Sequence, residues 1–89
     1  MNGMATPEVE ARPLRWWRAQ RVLSVRELAE RAGVSTRVIT DLEGGRVRRP
    51  HPATMRKLAE ALATPPSSIA EFSAVMEAMA RRPPARDDD

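Results

Sequence analysis

Apolar residues recur along this chain at helical spacing, in five separate stretches. The first opens at Pro13, a residue suited to a first helical turn because the N–H it lacks would be unpaired there anyway. It predicts a helix to about Val22, with Leu14 and Trp17 on one face and Arg15, Arg18 and Arg21 around them. The second begins at Ser24. Ser24 and Glu27 have the spacing of a capping box, in which the serine oxygen accepts from the Glu27 amide and the glutamate reaches back. Leu23 and Leu28 flank that cap as a hydrophobic staple. The helix ends near Ala32, where Gly33 can adopt the left-handed conformation that turns the chain. The third starts at Ser35. Val34 and Ile39 repeat the staple spacing, Val38, Ile39 and Leu42 form its apolar stripe, and Gly44 and Gly45 stop it.

A basic loop, residues 46–51 (RVRRPH), follows. His51 is expected to cap a fourth helix that opens at Pro52 and carries Met55, Leu58, Ala59 and Leu62 on one face. Thr64, Pro65 and Pro66 break the chain. Ser68 and Glu71 again have capping-box spacing and predict the start of a fifth helix. That helix would carry Ile69, Phe72, Val75, Met76 and Met79 and fade near Arg81. No repeat is present, and the alternation a sheet needs is absent. The expected organisation is a disordered arm over 1–11, an all-α domain over 12–81, and a disordered acidic tail over 82–89.

Eighty-nine residues make one small domain. Without cysteine or a ligand cluster, a modest apolar core must hold it. No stretch approaches the roughly 18 apolar residues of a membrane span. Met1 to Glu10 lacks the basic start and apolar run of a signal peptide. These features fit a cytoplasmic protein. The net charge of +3 conceals an asymmetry, since residues 12–57 carry twelve Arg or Lys against four Asp or Glu. A concentrated positive segment is the footprint of a polyanionic partner. Enzyme chemistry has little to work with: there is no cysteine or tyrosine, and one histidine without a carboxylate constellation. Gly44 and Gly45 follow a helix rather than opening one, so they read as a cap and not as a phosphate loop. No metal, cofactor or small-molecule substrate is expected.

Several spacings coincide between Leu14 and Phe72. Ala29 is a small residue, with Gly33 four residues later at the turn. Ile39 and Leu42 follow six and nine residues beyond Gly33. Leu42-Glu43 precedes glycine and a basic residue, Arg49-Pro50 precedes the fourth helix, and Leu58-Ala59 is completed by Leu62. Together these resemble the phage-repressor-like (XRE) family of helix-turn-helix proteins. The resemblance implies a compact five-helix, lambda-repressor-like DNA-binding domain, associated with bacterial or phage DNA. Two departures stand out. Val25 replaces a glutamine that commonly bonds phosphate in the family, so that contact is lost or passes to Arg26. Val22 replaces a glycine, which implies a mildly strained turn.

In such a motif the N-terminal part of the recognition helix, here within residues 35–44, enters the major groove. By motif position Thr36, Arg37 and Asp41 point there, with Thr40 beside them. The Arg37 fork matches guanine N7 and O6, a contact worth roughly 1–3 kcal/mol of discrimination; a phosphate contact alone is the competing role. Asp41 would accept from a cytosine amine or orient Arg37 from four residues away. Ser35, Arg26, Arg46, Arg48 and Arg49 are the candidate phosphate contacts. Arg18 and Glu43 match a structural ion pair of the family, and loss of one partner of a buried pair costs roughly 3–5 kcal/mol. Trp17 is expected in the core. Trp16, Val75, Met76 and Met79 form a candidate dimer or partner surface, since methionines pack adaptably. A homodimer through the fifth helix would set two recognition helices about 34 Å apart; the alternative is a longer fifth helix that packs on its own Trp16 within the monomer. Two functions follow: a double-stranded DNA-binding regulator, read as a repressor, or an antitoxin-like module that holds a second protein and represses its own operon.

Overall fold

Three of the helix starts are fixed by side chains close in sequence. In the computed structural model, which describes residues 10–81, five α-helices follow one another. They are α1 (Leu14–Gln20), α2 (Val25–Ala32), α3 (Thr36–Glu43), α4 (Pro52–Leu62) and α5 (Ser73–Arg81). Ser24 Oγ accepts from the Glu27 amide at 3.0 Å, and Glu27 Oε1 accepts from the Ser24 amide at 2.8 Å. These bonds, the backbone one foremost, hold the Glu27 carboxyl below its ordinary pKa. The capping contribution is therefore present above the ordinary glutamate range and is lost as pH falls through the folded value. Ser35 Oγ accepts from the Val38 amide at 3.2 Å to start α3. His51 Nδ1 accepts from the Ala53 amide at 3.3 Å, as expected of a cap for α4. The arm expected over 1–11, apart from Glu10 and Ala11, and the tail expected over 82–89 fall outside the described residues.

Gly33, at φ +73°, ends α2 as its position predicts. The first helix is shorter than its apolar pattern suggested, because Val22 leaves the helical region at φ +54°. Its amide donates to the Ala19 carbonyl and that of Leu23 to the Arg18 carbonyl, each at 3.0 Å, which closes a Schellman-type turn. A β-branched side chain in this conformation costs roughly 1–2 kcal/mol. Packing does not offset that cost, since Val22 is 86% exposed. Ala63 adopts the same left-handed conformation after α4.

The approach to α5 differs from the sequence expectation. Ser68 and Glu71 form no capping box. Two 3-10 turns, Pro66–Ser68 and Ala70–Phe72, precede the helix, with Ile69 extended between them at φ −102° and ψ 115°. An extended residue between cap and glutamate prevents the helical turn that a capping box requires. Glu71 instead serves α1, where Oε1 accepts from the Leu14 amide at 2.7 Å. Pro13, at the N-cap of α1, offers no side-chain oxygen of its own. Alongside, the Arg12 amide donates to the Ser68 carbonyl at 2.9 Å and the Ala70 amide to the Arg12 carbonyl at 2.8 Å. This parallel bridge is isolated, and no strand forms among the described residues.

The core is one cluster built around Leu14, Leu28, Ile39, Leu58, Leu62, Ile69 and Phe72. Helix α2 packs against both α3 and α4, and α1 packs against α3. Trp17 lies at the core edge, its Nε1–H donating to the Ser68 carbonyl at 2.7 Å. Glu71→Ala is expected to destabilise the fold by about 1–2 kcal/mol in urea unfolding, through loss of a distant cap. A midpoint equal to that of the parent would remove this role from Glu71.

Candidate nucleic-acid interface

Helix α3 is only eight residues long, too short to persist without its neighbours. Its inner face buries Ile39 and Leu42. Its C-terminal end is tied to α1 by a fork-on-fork pair, with Arg18 Nε to Glu43 Oε2 at 2.8 Å and Nη2 to Oε1 at 2.9 Å. The remaining nitrogen of Arg18 donates to the Leu23 carbonyl at 3.1 Å. The two side chains are 20% and 13% exposed. Hydrogen bonding to Glu43 is the main cause of a raised Arg18 pKa. The pair expected from sequence is thus present, and it joins α1, the α1–α2 joint and α3.

With that end held, the opposite face of α3 turns outward. Thr36, Arg37 and Thr40 are exposed, and Asp41 is half-buried. Thr40 Oγ1 donates to the Arg37 carbonyl at 3.2 Å. Arg37 Nε reaches Asp41 Oδ2 at 3.4 Å, the intrahelical pairing that their spacing suggested. The same carboxylate receives Arg46 Nη1 on Oδ1, also at 3.4 Å, a contact that spacing alone did not suggest. Gly45 makes it possible: at φ +77° it turns the loop back, so that the Arg46 amide donates to the Asp41 carbonyl at 2.9 Å.

The other candidate phosphate contacts are distributed over α2, the N-cap of α3 and the loop that follows it. Arg26, Arg48 and Arg49 are exposed and make no salt bridge among the described residues. Ser35 Oγ already accepts from an amide, which leaves its O–H to donate outward. Val25 is half-buried against the core. No three His, Cys, Asp or Glu side chains gather as a metal site requires, among the described residues. No helix there is long and apolar enough to cross a membrane.

The second candidate surface divides. Trp16 is half-buried, edge-on to Trp17 at 4.9 Å, with the Arg12 guanidinium 5.0 Å from its ring centre. Val75 and Met76 pack partly on the core, whereas Met79 is 56% exposed. Open apolar grooves run on either side of α5, one lined by Met55, Pro66, Met76 and Met79, the other by Pro50, Val75 and Met79. Trp16 lines neither. Sequence reasoning also missed Arg21, which donates from Nε to the Leu62 carbonyl at 2.8 Å and lies 5.4 Å from the Trp17 ring centre. It satisfies the end of α4 from 41 residues away, beyond any local pattern.

Two short helices joined at a left-handed glycine, the second with its polar face outward beside a basic loop, define a helix-turn-helix protein. A family model described as a helix-turn-helix domain matches residues 11–72, and the chain belongs to this DNA-binding family in its XRE form. It is similar to the HTH-type transcriptional repressor RghR of Bacillus subtilis (strain 168), at 48% identity over 52 residues. That match covers 58% of this chain and 38% of the relative. No solved structure matches the chain.

Arg18→Ala strands a mostly buried Glu43, and the expected cost is about 3 kcal/mol by chemical denaturation. An unchanged melting curve would refute the structural assignment of the pair.

Proposed function

We propose that this protein is a sequence-specific double-stranded DNA-binding transcriptional regulator, acting as a repressor in the cytoplasm without enzymatic activity. The observation that carries this reading is the outward face of α3. Thr36, Arg37 and Thr40 are exposed on a helix whose other side is fixed by Arg18 and Glu43, and the basic loop adjoins it. The helix enters the major groove, with Arg37 reading guanine and Thr36, Thr40 and Asp41 completing the base-facing set. Ser35, Arg26, Arg48 and Arg49 contact phosphates and set the register without specifying sequence, while Arg46, the fifth candidate, is paired with Asp41. The relative's printed description as a transcriptional repressor supports the same reading.

The protein acts as a homodimer through α5. An exposed Met79 between two apolar grooves supports this arrangement, since a second copy would cover it. A different protein on the same face, as in the antitoxin reading, is the competing arrangement. Sedimentation separates them: Met76→Glu is expected to halve the mass of the free protein. An unchanged mass would remove α5 from the dimer interface.

Selection of bound sequences from random DNA is expected to return a pseudo-palindromic site, and Arg37→Ala is expected to relax one position in each half-site. A dimer that neutralises about eight phosphates would show a log–log salt slope of about −7. A slope near zero, or a selected motif untouched by Arg37→Ala, would respectively overturn DNA binding and the base-reading role of Arg37.

A further inference from the structure

We propose that Asp41 is a specificity-determining residue, whose carboxylate presents Arg37 end-on to a base while withholding Arg46 from phosphate. The proposal rests on the DNA-reading function above. It begins from a shared acid: one Asp41 oxygen accepts from Arg37 Nε and the other from Arg46 Nη1, each at 3.4 Å. The arginine side chains are 82% and 71% exposed, against 21% for Asp41. The acid is therefore the fixed member, and both arginines reach to it from solvent. Contacts of this length are loose, so DNA can compete for either arginine.

The atoms involved give the two arginines different fates. Arg37 is engaged through Nε, which leaves both terminal nitrogens available. Those terminal N–H groups suit the N7 and O6 acceptors of guanine. Arg37 can thus keep its contact with Asp41 while reading a base, and the carboxylate limits the directions in which the fork can point. Arg46 is engaged through a terminal nitrogen, the edge it would otherwise turn to a phosphate. To bind phosphate it must leave the acid.

Charge then separates cognate from random DNA. Binding to a random duplex is driven by the number of phosphates neutralised. There Asp41 offsets one of two local positive charges and repels the backbone that either arginine approaches. A guanine edge carries no net charge, so Arg37 meets it without that penalty. The acid subtracts more from sequence-blind binding than from binding at a site that offers guanine to Arg37.

Asp41→Asn preserves shape and removes the charge. Binding of the full chain would be measured across a sodium chloride series, to the selected site and to a random duplex of equal length. Affinity for the random duplex is expected to rise about five- to tenfold, and its salt slope to steepen by about 0.9 per protomer as Arg46 gains a phosphate. Affinity for the selected site should change less, so the ratio of the two falls. The same substitution in an Arg46→Gln background should give a smaller gain, an outcome that a purely structural role would not produce. A ratio unchanged by Asp41→Asn, or equal loss on both duplexes, overturns this proposal while leaving the DNA-reading function in place. A parent protein that binds neither duplex overturns that function and this inference together.

Discussion

The three-way grip of the Arg18 guanidinium sets the attitude of α3. Two of its nitrogens meet Glu43 and the third meets the Leu23 carbonyl. One planar group thus joins the first helix, the joint leading to the second and the far end of the third. Arginine suits this task better than lysine because its donors lie in a fixed fork that matches a carboxylate. The geometry matters because α3 has little else to hold it. It buries only Ile39 and Leu42 fully, and its outer side must stay polar. A helix this short owes its persistence to its ends, with Ser35 capping one and Glu43 anchoring the other.

Much of the frame was legible because its signals are local. Ser24 with Glu27, Ser35, His51 and Gly33 all act on backbone within a few residues, so spacing and residue type suffice to identify them. Ser68 and Glu71 show where that method fails. The same spacing occurs, but a capping box presupposes a helix, and the extended Ile69 prevents one. The freed glutamate caps α1 from the other end of the domain. Arg21 escaped notice for a similar reason, since nothing near it in sequence points to the Leu62 carbonyl. For the candidate interface, helical spacing suggested the Arg37–Asp41 contact. The Arg46 contact depends on a left-handed Gly45 and a returning loop, which no periodicity encodes.

The distribution of acids clarifies the charge of the basic segment. Glu27 is committed to its cap, Glu43 to Arg18, and Asp41 to Arg37 and Arg46. Of the four acids in residues 12–57, three are thus engaged within the fold, against twelve basic residues in the same segment. Frame and outward polar face therefore draw on different residues of one short helix. Val22 illustrates the tolerance of the frame: an exposed β-branched residue occupies a left-handed turn, held there by the backbone bonds of a closed Schellman motif.

The closure made by Arg12, Leu14 and Trp17 on residues 68–71 has a consequence for the order of folding. Two of its bonds join positions 57 and 51 residues apart, whereas α2 and α3 meet across a single turn. Loop-closure entropy disfavours early contacts so distant in sequence, so the helix-turn-helix pair is expected to assemble before the first turn of α1 is secured. The same ordering, run in reverse under native conditions, predicts that the distant seam opens as a partial unit ahead of the whole. Amide exchange at Leu14 would report that opening directly, because its N–H is protected by a glutamate 57 residues away in sequence.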